Sequence, residues 1–144
     1  MLPPEIVTSR SEAETMAIGK ALAQDLGAGD VVALKGDLGT GKTHFVKGMA
    51  PVFGIKKTAV HSPTFSLINE YGGTPPLYHF DCYRMESVKE ALEIGVEEYL
   101  YGAGVCVIEW PERIDPLLPP HCIWVELETT GKTQRQFKIK KKGL

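Results

Sequence analysis

Residues 36–43 combine glycine, lysine and threonine at a spacing that suits phosphate binding. They read Gly-Asp-Leu-Gly-Thr-Gly-Lys-Thr and fit G-x-x-x-x-G-K-[ST] at every fixed position. In such a loop several backbone amides converge on the phosphates, and glycine allows both the close approach and the unusual dihedral angles. The Lys42 ammonium can reach the β- and γ-phosphates, and the Thr43 hydroxyl can bind Mg²⁺. This segment, called the phosphate loop below, predicts a nucleotide site.

Two carboxylates stand where a nucleotide hydrolase needs groups that bind metal and water. Asp81 directly follows the apolar run 77–80, and Glu109 directly follows the apolar run 105–108. If both runs are strands parallel to the strand before the phosphate loop, both side chains emerge at the edge of the sheet where ligands collect. One acid can then hold Mg²⁺ or its waters, while the other orients or deprotonates the attacking water. The residues alone do not assign these two roles.

Two further residues have more than one interpretation. Thr64 lies in His-Ser-Pro-Thr-Phe, after the phosphate loop, where nucleotide switches often carry a threonine that senses the γ-phosphate and the metal. A proline-containing turn is an equally good interpretation of that segment. Trp110 follows Glu109 and can be a core aromatic, an adenine shelf or a partner contact. From the residues alone, core packing is favoured for Trp110.

Helix and strand patterns alternate along the first third of the chain. A capping box at residues 11–14 opens a helix with apolar residues at helical spacing, and Gly27 predicts the end of that helix. Residues 31–34 form an apolar run that predicts a buried strand leading into the phosphate loop. A second helix is expected from about Lys42 towards Ala50. This order places the phosphate loop between a strand and a helix.

The rest of the chain continues the alternation. The runs 77–80 and 105–108 are strand candidates, and a second capping box at residues 87–90 opens a helix that is expected to stop before Gly95. Residues 123–128 and 136–140 alternate between apolar and polar, as half-exposed strands do. Mixed order of this kind predicts an α/β fold, with a sheet flanked by helices in a single domain over residues 1–144.

Composition excludes several classes of protein. The chain has 144 residues, 43% of them hydrophobic, and a formal net charge of −2, so no strong positive field attracts nucleic acid or anionic lipid. Its three cysteines are widely spaced, and its four histidines lack the spacing of a zinc site. No signal peptide and no apolar stretch of about 20 residues is found, so we expect a cytoplasmic protein.

Four segments in fixed order resemble one known family. They are the phosphate loop, His61-Ser-Pro-Thr-Phe, Tyr78-His-Phe-Asp-Cys-Tyr-Arg84 and Ile108-Glu-Trp-Pro111. Together they closely resemble the TsaE (YjeE) family, bacterial ATPases needed to make N6-threonylcarbamoyladenosine in tRNA. The resemblance implies a P-loop NTPase domain with a mostly parallel central sheet, flanking helices and antiparallel edge strands. It also implies Mg²⁺-dependent ATP binding, slow ATP hydrolysis and association with the proteins TsaB and TsaD.

The resemblance also implies roles for individual residues. TsaD transfers the threonylcarbamoyl group to the adenosine beside the anticodon, and TsaE supports turnover of that complex, so contact with tRNA is expected to be indirect. Thr43 and Glu109 are the implied metal-side residues, and Asp81 belongs to the same cluster. The residues implied to hold the nucleotide are Ser11, Gly39, Thr40, Gly41, Lys42, Thr43, Thr64, Trp110 and Lys132. Lys42, Asp81 and Glu109 are the implied catalytic residues.

Three other functions are weighed against this one. A small-molecule kinase also uses a phosphate loop, but it usually needs a lid with arginines, and no lid insertion is evident around Arg84, Arg113 or Arg135. A GTPase commonly reads guanine with N-K-x-D, whereas the sole asparagine, Asn69, precedes Glu70. A nucleotide-gated binding module, in which hydrolysis is incidental, overlaps with the favoured function.

Overall fold

The fold is built on one sheet, into which the apolar runs of the sequence assemble. A computed structural model describes residues 5–37, 41–63 and 67–141. The described strands are β1 (Glu5–Ser9), β2 (Val31–Lys35), β3 (Ile68–Tyr71), β4 (Leu77–Asp81), β5 (Val105–Glu109), β6 (Ile123–Thr129) and β7 (Arg135–Lys141). They form a seven-stranded sheet in the order β1-β7-β6-β2-β5-β4-β3.

The centre of this sheet is parallel and its rims are antiparallel. β6, β2, β5 and β4 run in the same direction, whereas β1 and β7 on one side and β3 on the other run antiparallel to their neighbours. In this register Glu109 lies opposite both Leu34 and Asp81. The parallel centre therefore brings the end of β2, where the phosphate loop begins, beside both acids.

Four α-helices cover the sheet in the described part of the chain. They are α1 (Glu12–Ala23), α2 (Lys42–Met49), α3 (Val88–Glu93) and α4 (Val96–Leu100), and 3-10 helices occupy Ala50–Phe53, Lys57–Ala59 and Pro111–Leu117. The Ser11 hydroxyl caps α1 by accepting a hydrogen bond from the Glu14 amide at 3.1 Å, and Ser87 caps α3 in the same way. Both serines satisfy amides that a helix start leaves without partners.

Alternating strand residues build a separate core on each face of the sheet. Val32 and Leu34 pack with α1 and α2, while Val31 and Ala33 pack with α3, α4 and the 3-10 helix Pro111–Leu117. Because side chains alternate along a strand, Asp81 and Glu109 continue the face that α1 and α2 cover. The two acids and the start of α2 therefore lie on the same side of the sheet.

Two glycines allow α1 and α2 to pack unusually closely. A Cβ at Gly19 would lie 2.1 Å from the Phe45 carbonyl oxygen, and a Cβ at Gly48 would lie 1.9 Å from the Met16 carbonyl oxygen. Each glycine thus receives the backbone of the opposite helix. This packing fixes where α2 begins, and with it the position of Lys42.

The structure confirms the α/β fold, the parallel centre and the antiparallel edges predicted for the sheet. It also confirms each predicted strand and the helices at α2 and α3. The predicted end of the first helix at Gly27 is wrong, because beyond Ala23 the amides of Asp25 and Leu26 bond three residues back, as in a turn. Among the described residues, no helix has both the length and the apolar character needed to cross a membrane.

Candidate active site

A cleft of about 700 Å³ opens at the carboxyl edge of the parallel strands. Its lining comes from segments far apart in the sequence, including Ser11, Gly41 to Thr43, Asp81, Glu109 and Lys132. The antiparallel pair of β1 and β7 brings the first and last of these segments to one rim, since Ser9 lies opposite Arg135. The structure therefore brings together four of the predicted site residues, Ser11, Asp81, Glu109 and Lys132, with the described end of the phosphate loop around a single cavity.

The start of α2 supplies the positive end of the cleft. Gly41 adopts φ 98° and ψ 21°, a left-handed conformation that glycine takes without strain, and, having no side chain, it cannot cap the helix itself. Its carbonyl accepts the first helical hydrogen bond, from the Phe45 amide at 3.0 Å. The amides of the first turn thus face the cleft region with the positive end of the helix dipole. This geometry suits an anion.

Lys42 is a buried cation with several compensating contacts. Its side chain is only 6% exposed, and its ammonium donates to the Gly36 carbonyl oxygen at 2.7 Å. The ammonium lies 3.5 Å from Glu109 Oε1 and 4.8 Å from the centre of the Trp110 ring. A charge this deeply buried needs such partners, because desolvation is otherwise costly. The lysine is held at the base of the phosphate loop.

Glu109 contacts two other buried side chains that can carry charge, His79 and Lys42. Its Oε2 accepts a hydrogen bond from His79 Nε2 at 2.5 Å, while Oε1 faces Lys42. Burial acts to raise the pKa of this carboxyl, but the hydrogen bond and charge interaction with His79, followed by those with Lys42, outweigh burial and lower the pKa. Glu109 is therefore an ionised carboxylate at neutral pH, with each oxygen directed at a different partner.

Asp81 lies beside Glu109 in the neighbouring strand. Its amide donates to the Leu67 carbonyl oxygen at 2.8 Å, and its Oδ1 accepts from the Tyr83 amide at 2.9 Å. These bonds fix the end of β4 and orient the carboxylate. The two acids are adjacent in register and line the same cleft, as the sequence predicts.

Trp110 lies at the border of the site. Its backbone is left-handed at φ 56°, a strained conformation for a bulky residue, and it turns the chain from β5 into the next 3-10 helix. Its ring packs on Tyr83 at 4.9 Å and covers Lys42. The tryptophan lines a neighbouring cleft of about 530 Å³, which lies beside the phosphate loop at Gly36 and Asp37. Its role as a nucleotide contact stays a prediction.

Some of the other predicted residues line the main cleft, and others lie outside the described residues. Ser11 and Lys132 line the main cleft, as does Thr43. Gly39, Thr40 and Thr64 lie outside the described residues. Magnesium suits the residues present, because it usually keeps several waters and binds through substrate phosphates with one or two protein oxygens. Within the described ranges, no three His, Cys, Asp or Glu side chains converge on a metal position.

Sequence reasoning missed His79 and the arginines of the cleft wall. His79 is fully buried two residues before Asp81 on β4, and Arg10 and Arg135 line the cleft. The signal for His79 was present in the sequence, since strand periodicity puts residues 79 and 81 on one face. The arginines gave no such signal, because only the pairing of β1 with β7 brings them to the site.

Comparison with known proteins identifies the family of this chain. A family model described as "Threonylcarbamoyl adenosine biosynthesis protein TsaE" matches residues 9–137. A protein of Bacillus subtilis named tRNA threonylcarbamoyladenosine biosynthesis protein TsaE is 45% identical over 125 residues, covering 86% of this chain and 77% of that protein. A Treponema pallidum protein of the same name is 41% identical over 131 residues, covering 91% of this chain and 96% of the relative.

A solved structure is similar over almost the whole chain. The crystal structure of Bacillus subtilis YdiB superposes with a TM-score of 0.82 at 36% sequence identity, covering 99% of this chain and 88% of that one. The family match spans all three described groups of the site: the start of α2, the ends of β4 and β5, and the β6–β7 hairpin. The chain therefore belongs to the TsaE family.

Proposed function

We propose that this protein is a Mg²⁺-dependent P-loop ATPase that acts in the biosynthesis of threonylcarbamoyladenosine in tRNA. The observation that carries the proposal is the buried Lys42 ammonium at the start of α2, 3.5 Å from an ionised Glu109 and in the lining of a large cleft. A cation, helix amides and carboxylates at one sheet edge form an arrangement that suits a nucleoside triphosphate and its metal.

Binding rests on the positive groups of the cleft. When a triphosphate enters, the Lys42 ammonium can exchange the Gly36 carbonyl for phosphate oxygens, since its aliphatic stem is flexible. Amides of the first turn of α2 complete the contact, and glycine at residue 41 keeps that approach open. Ser11 and Lys132 form the more distant wall of the cleft, where the sugar and base of the nucleotide would lie.

Thr43 and Glu109 are the residues proposed to hold Mg²⁺, through a hydroxyl and a carboxylate oxygen. Bound there with the phosphates, the ion would supply positive charge that stabilises the transferring phosphoryl group. The pKa of Glu109 is lowered, so this carboxylate is charged at neutral pH and able to face a cation. Asp81, adjacent in register, is placed to orient the attacking water in concert with it.

Membership in the TsaE family supports the biological role. The Bacillus subtilis and Treponema pallidum relatives carry names that assign them to the biosynthesis of threonylcarbamoyladenosine in tRNA. We propose that this chain supports turnover of a complex with TsaD and TsaB in the cytoplasm, without transferring the group itself. Contact with tRNA would then occur through the complex.

The experiment measures nucleotide binding by calorimetry and ATP loss by phosphate release, for wild-type protein, Lys42→Ala and Lys47→Ala. Lys47 is the matched control, because it lies in the same helix, carries the same charge and does not line the cleft. We expect Lys42→Ala to lose binding of Mg-ATP by at least about tenfold, as removal of a charged contact does. Lys47→Ala should bind like the wild type.

Four outcomes would contradict this proposal or favour an alternative. No heat with Mg-ATP and intact folded protein would contradict it outright. Phosphate transfer to a metabolite in a panel, in place of phosphate release, would indicate a small-molecule kinase. Stronger binding of GTP than of ATP would indicate a GTPase. Restored tRNA modification by Lys42→Ala in cells that lack the native protein would show that ATP does not drive the biological role.

A further inference from the structure

The strongest feature that the proposed function does not use is the buried contact between His79 and Glu109. His79 is completely buried on β4, and its Nε2 lies 2.5 Å from Glu109 Oε2. A carboxylate oxygen accepts hydrogen bonds, so Nε2 carries the hydrogen in this contact and donates it. The short distance is that of a charge-assisted hydrogen bond, which is stronger and more directional than a neutral one.

The other ring nitrogen of His79 shows that packing alone does not account for the histidine. Its Nδ1 is buried and has no hydrogen-bond partner within the described ranges. Its neighbours in register are Val107 on β5 and Asn69 on β3, and Leu77 precedes it on the same face. An apolar side chain would pack there without burying an unpartnered nitrogen. What the imidazole adds is its donor to Glu109.

The geometry shows what this donor does for the carboxylate. One oxygen, Oε2, is fixed by His79, so the other, Oε1, points to Lys42 at 3.5 Å. Once Lys42 turns to a phosphate, the carboxylate loses its contact with the lysine, but the hydrogen bond from His79 still holds it. Oε1 is then left directed into the cleft, where the metal and water of the reaction would lie.

We propose that His79 is a positioning residue that fixes Glu109 in the rotamer needed for ATP hydrolysis. It acts through Glu109 and does not touch the nucleotide. The expected effect on kcat rests on the proposed ATPase function. The expected effect on the Glu109 rotamer rests on the His79–Glu109 contact alone.

Two substitutions at one position separate positioning from packing. His79→Gln keeps an amide donor at about the reach of Nε2, whereas His79→Leu fills the space without any donor. We expect His79→Leu to lower kcat by about 10- to 100-fold, the range found when outer partners of site residues are removed. The KM for Mg-ATP should stay within about threefold, because Lys42 and the amides of α2 still bind the phosphates. His79→Gln should recover most of kcat.

Val107→Ala serves as the packing control. It shortens a fully buried side chain directly opposite His79 without removing a donor, so it should reduce stability and leave kcat near the wild-type value. If His79→Leu does not fold, His79→Asn replaces it, because the shorter amide does not reach Glu109. Unchanged kcat in the donor-free variant, or equal loss in His79→Gln and His79→Leu, would overturn the proposal.

Crystal structures of the variants decide the structural part independently. In the donor-free variant we expect Glu109 to leave the observed rotamer, and in His79→Gln to keep it. A wild-type protein that binds no ATP would contradict the proposed function and leave this test intact. An unchanged Glu109 rotamer in the donor-free variant would contradict the positioning role.

Discussion

At the scale of single residues, the charge state of Glu109 links the site to stability. Its pKa is lowered in the folded protein from the ordinary value of 4.5, because His79 and Lys42 outweigh burial. A lowered folded-state pKa contributes stability that is present above the unfolded-state pKa and is lost as the pH falls through the folded-state pKa. We expect the wild type to be more stable than Glu109→Gln at neutral pH, and this advantage to shrink as the pH falls below about 4.5.

Urea denaturation of both proteins at a series of pH values measures this difference. Glu86→Gln is the control, because it removes an equal charge from an exposed position and should show little pH-dependent difference. A difference between wild type and Glu109→Gln that stays constant into the acid range would mean that the carboxyl titrates alike in both states. The lowered pKa would then be wrong.

The two acids were predictable from the sequence, whereas the contacts of Glu109 were not. Asp81 and Glu109 each end an apolar run, and the period of a strand fixes the face on which each side chain lies. The approach of Lys42 and His79 to Glu109 depends on which strands are neighbours and on which face α2 packs. Those are long-range facts that no local pattern encodes.

At the scale of secondary structure, the close packing of α1 against α2 fixes the position of the start of α2, where the phosphate loop ends. Gly48 allows the backbone of α1 to approach so closely that an added Cβ would lie 1.9 Å from the Met16 carbonyl oxygen. Alanine favours a helix over glycine by about 1 kcal/mol, but overpacking a core costs about 1–3 kcal/mol and here meets rigid backbone. We expect Gly48→Ala to lower the free energy of unfolding by about 1–3 kcal/mol.

Gly27→Ala is the matched control, since nothing lies within 4 Å of a Cβ at that position. Its free energy of unfolding, measured by heat or urea denaturation, should lie within about 0.5 kcal/mol of the wild-type value, as for most surface changes. Nucleotide affinity should fall in Gly48→Ala as well, because a displaced α2 carries Lys42 with it. A Gly48→Ala protein as stable as the control would show that the helices can separate without cost.

Elements with strong local patterns were predictable, and short elements at the rims were not. The strands that became β2, β4 and β5 are apolar runs, and serine caps mark the starts of α1 and α3. β1 and β3 are edge strands with mostly half-exposed or exposed residues, so they lack a clear apolar pattern. They exist because a neighbouring strand offers them hydrogen-bonding partners.

At the scale of the whole molecule, the cleft joins segments from both ends of the chain. Ser11 precedes α1, Lys132 lies in the hairpin between β6 and β7, and Lys42 starts α2. The pairing of β1 with β7 brings the segments that carry Ser11 and Lys132 to the same end of the sheet. A ligand that contacts all three groups requires the complete fold, so its binding energy should oppose global unfolding.

We therefore expect Mg-ATP at about 100 times its Kd to raise the free energy of unfolding by about 2.7 kcal/mol, the value that mass action gives for a ligand binding only the folded state. Lys42→Ala should lose this increase at the same nucleotide concentration, and Lys47→Ala should retain it. Urea denaturation followed by Trp fluorescence, with and without nucleotide, measures the shift.

Because all three groups of the cleft wall are assembled only in the native sheet, amide exchange on nucleotide binding should slow in β1 and β7 as well as in α2. Slower exchange confined to the start of α2, with an unchanged unfolding midpoint, would mean that the nucleotide engages the phosphate loop without the distant wall of the cleft.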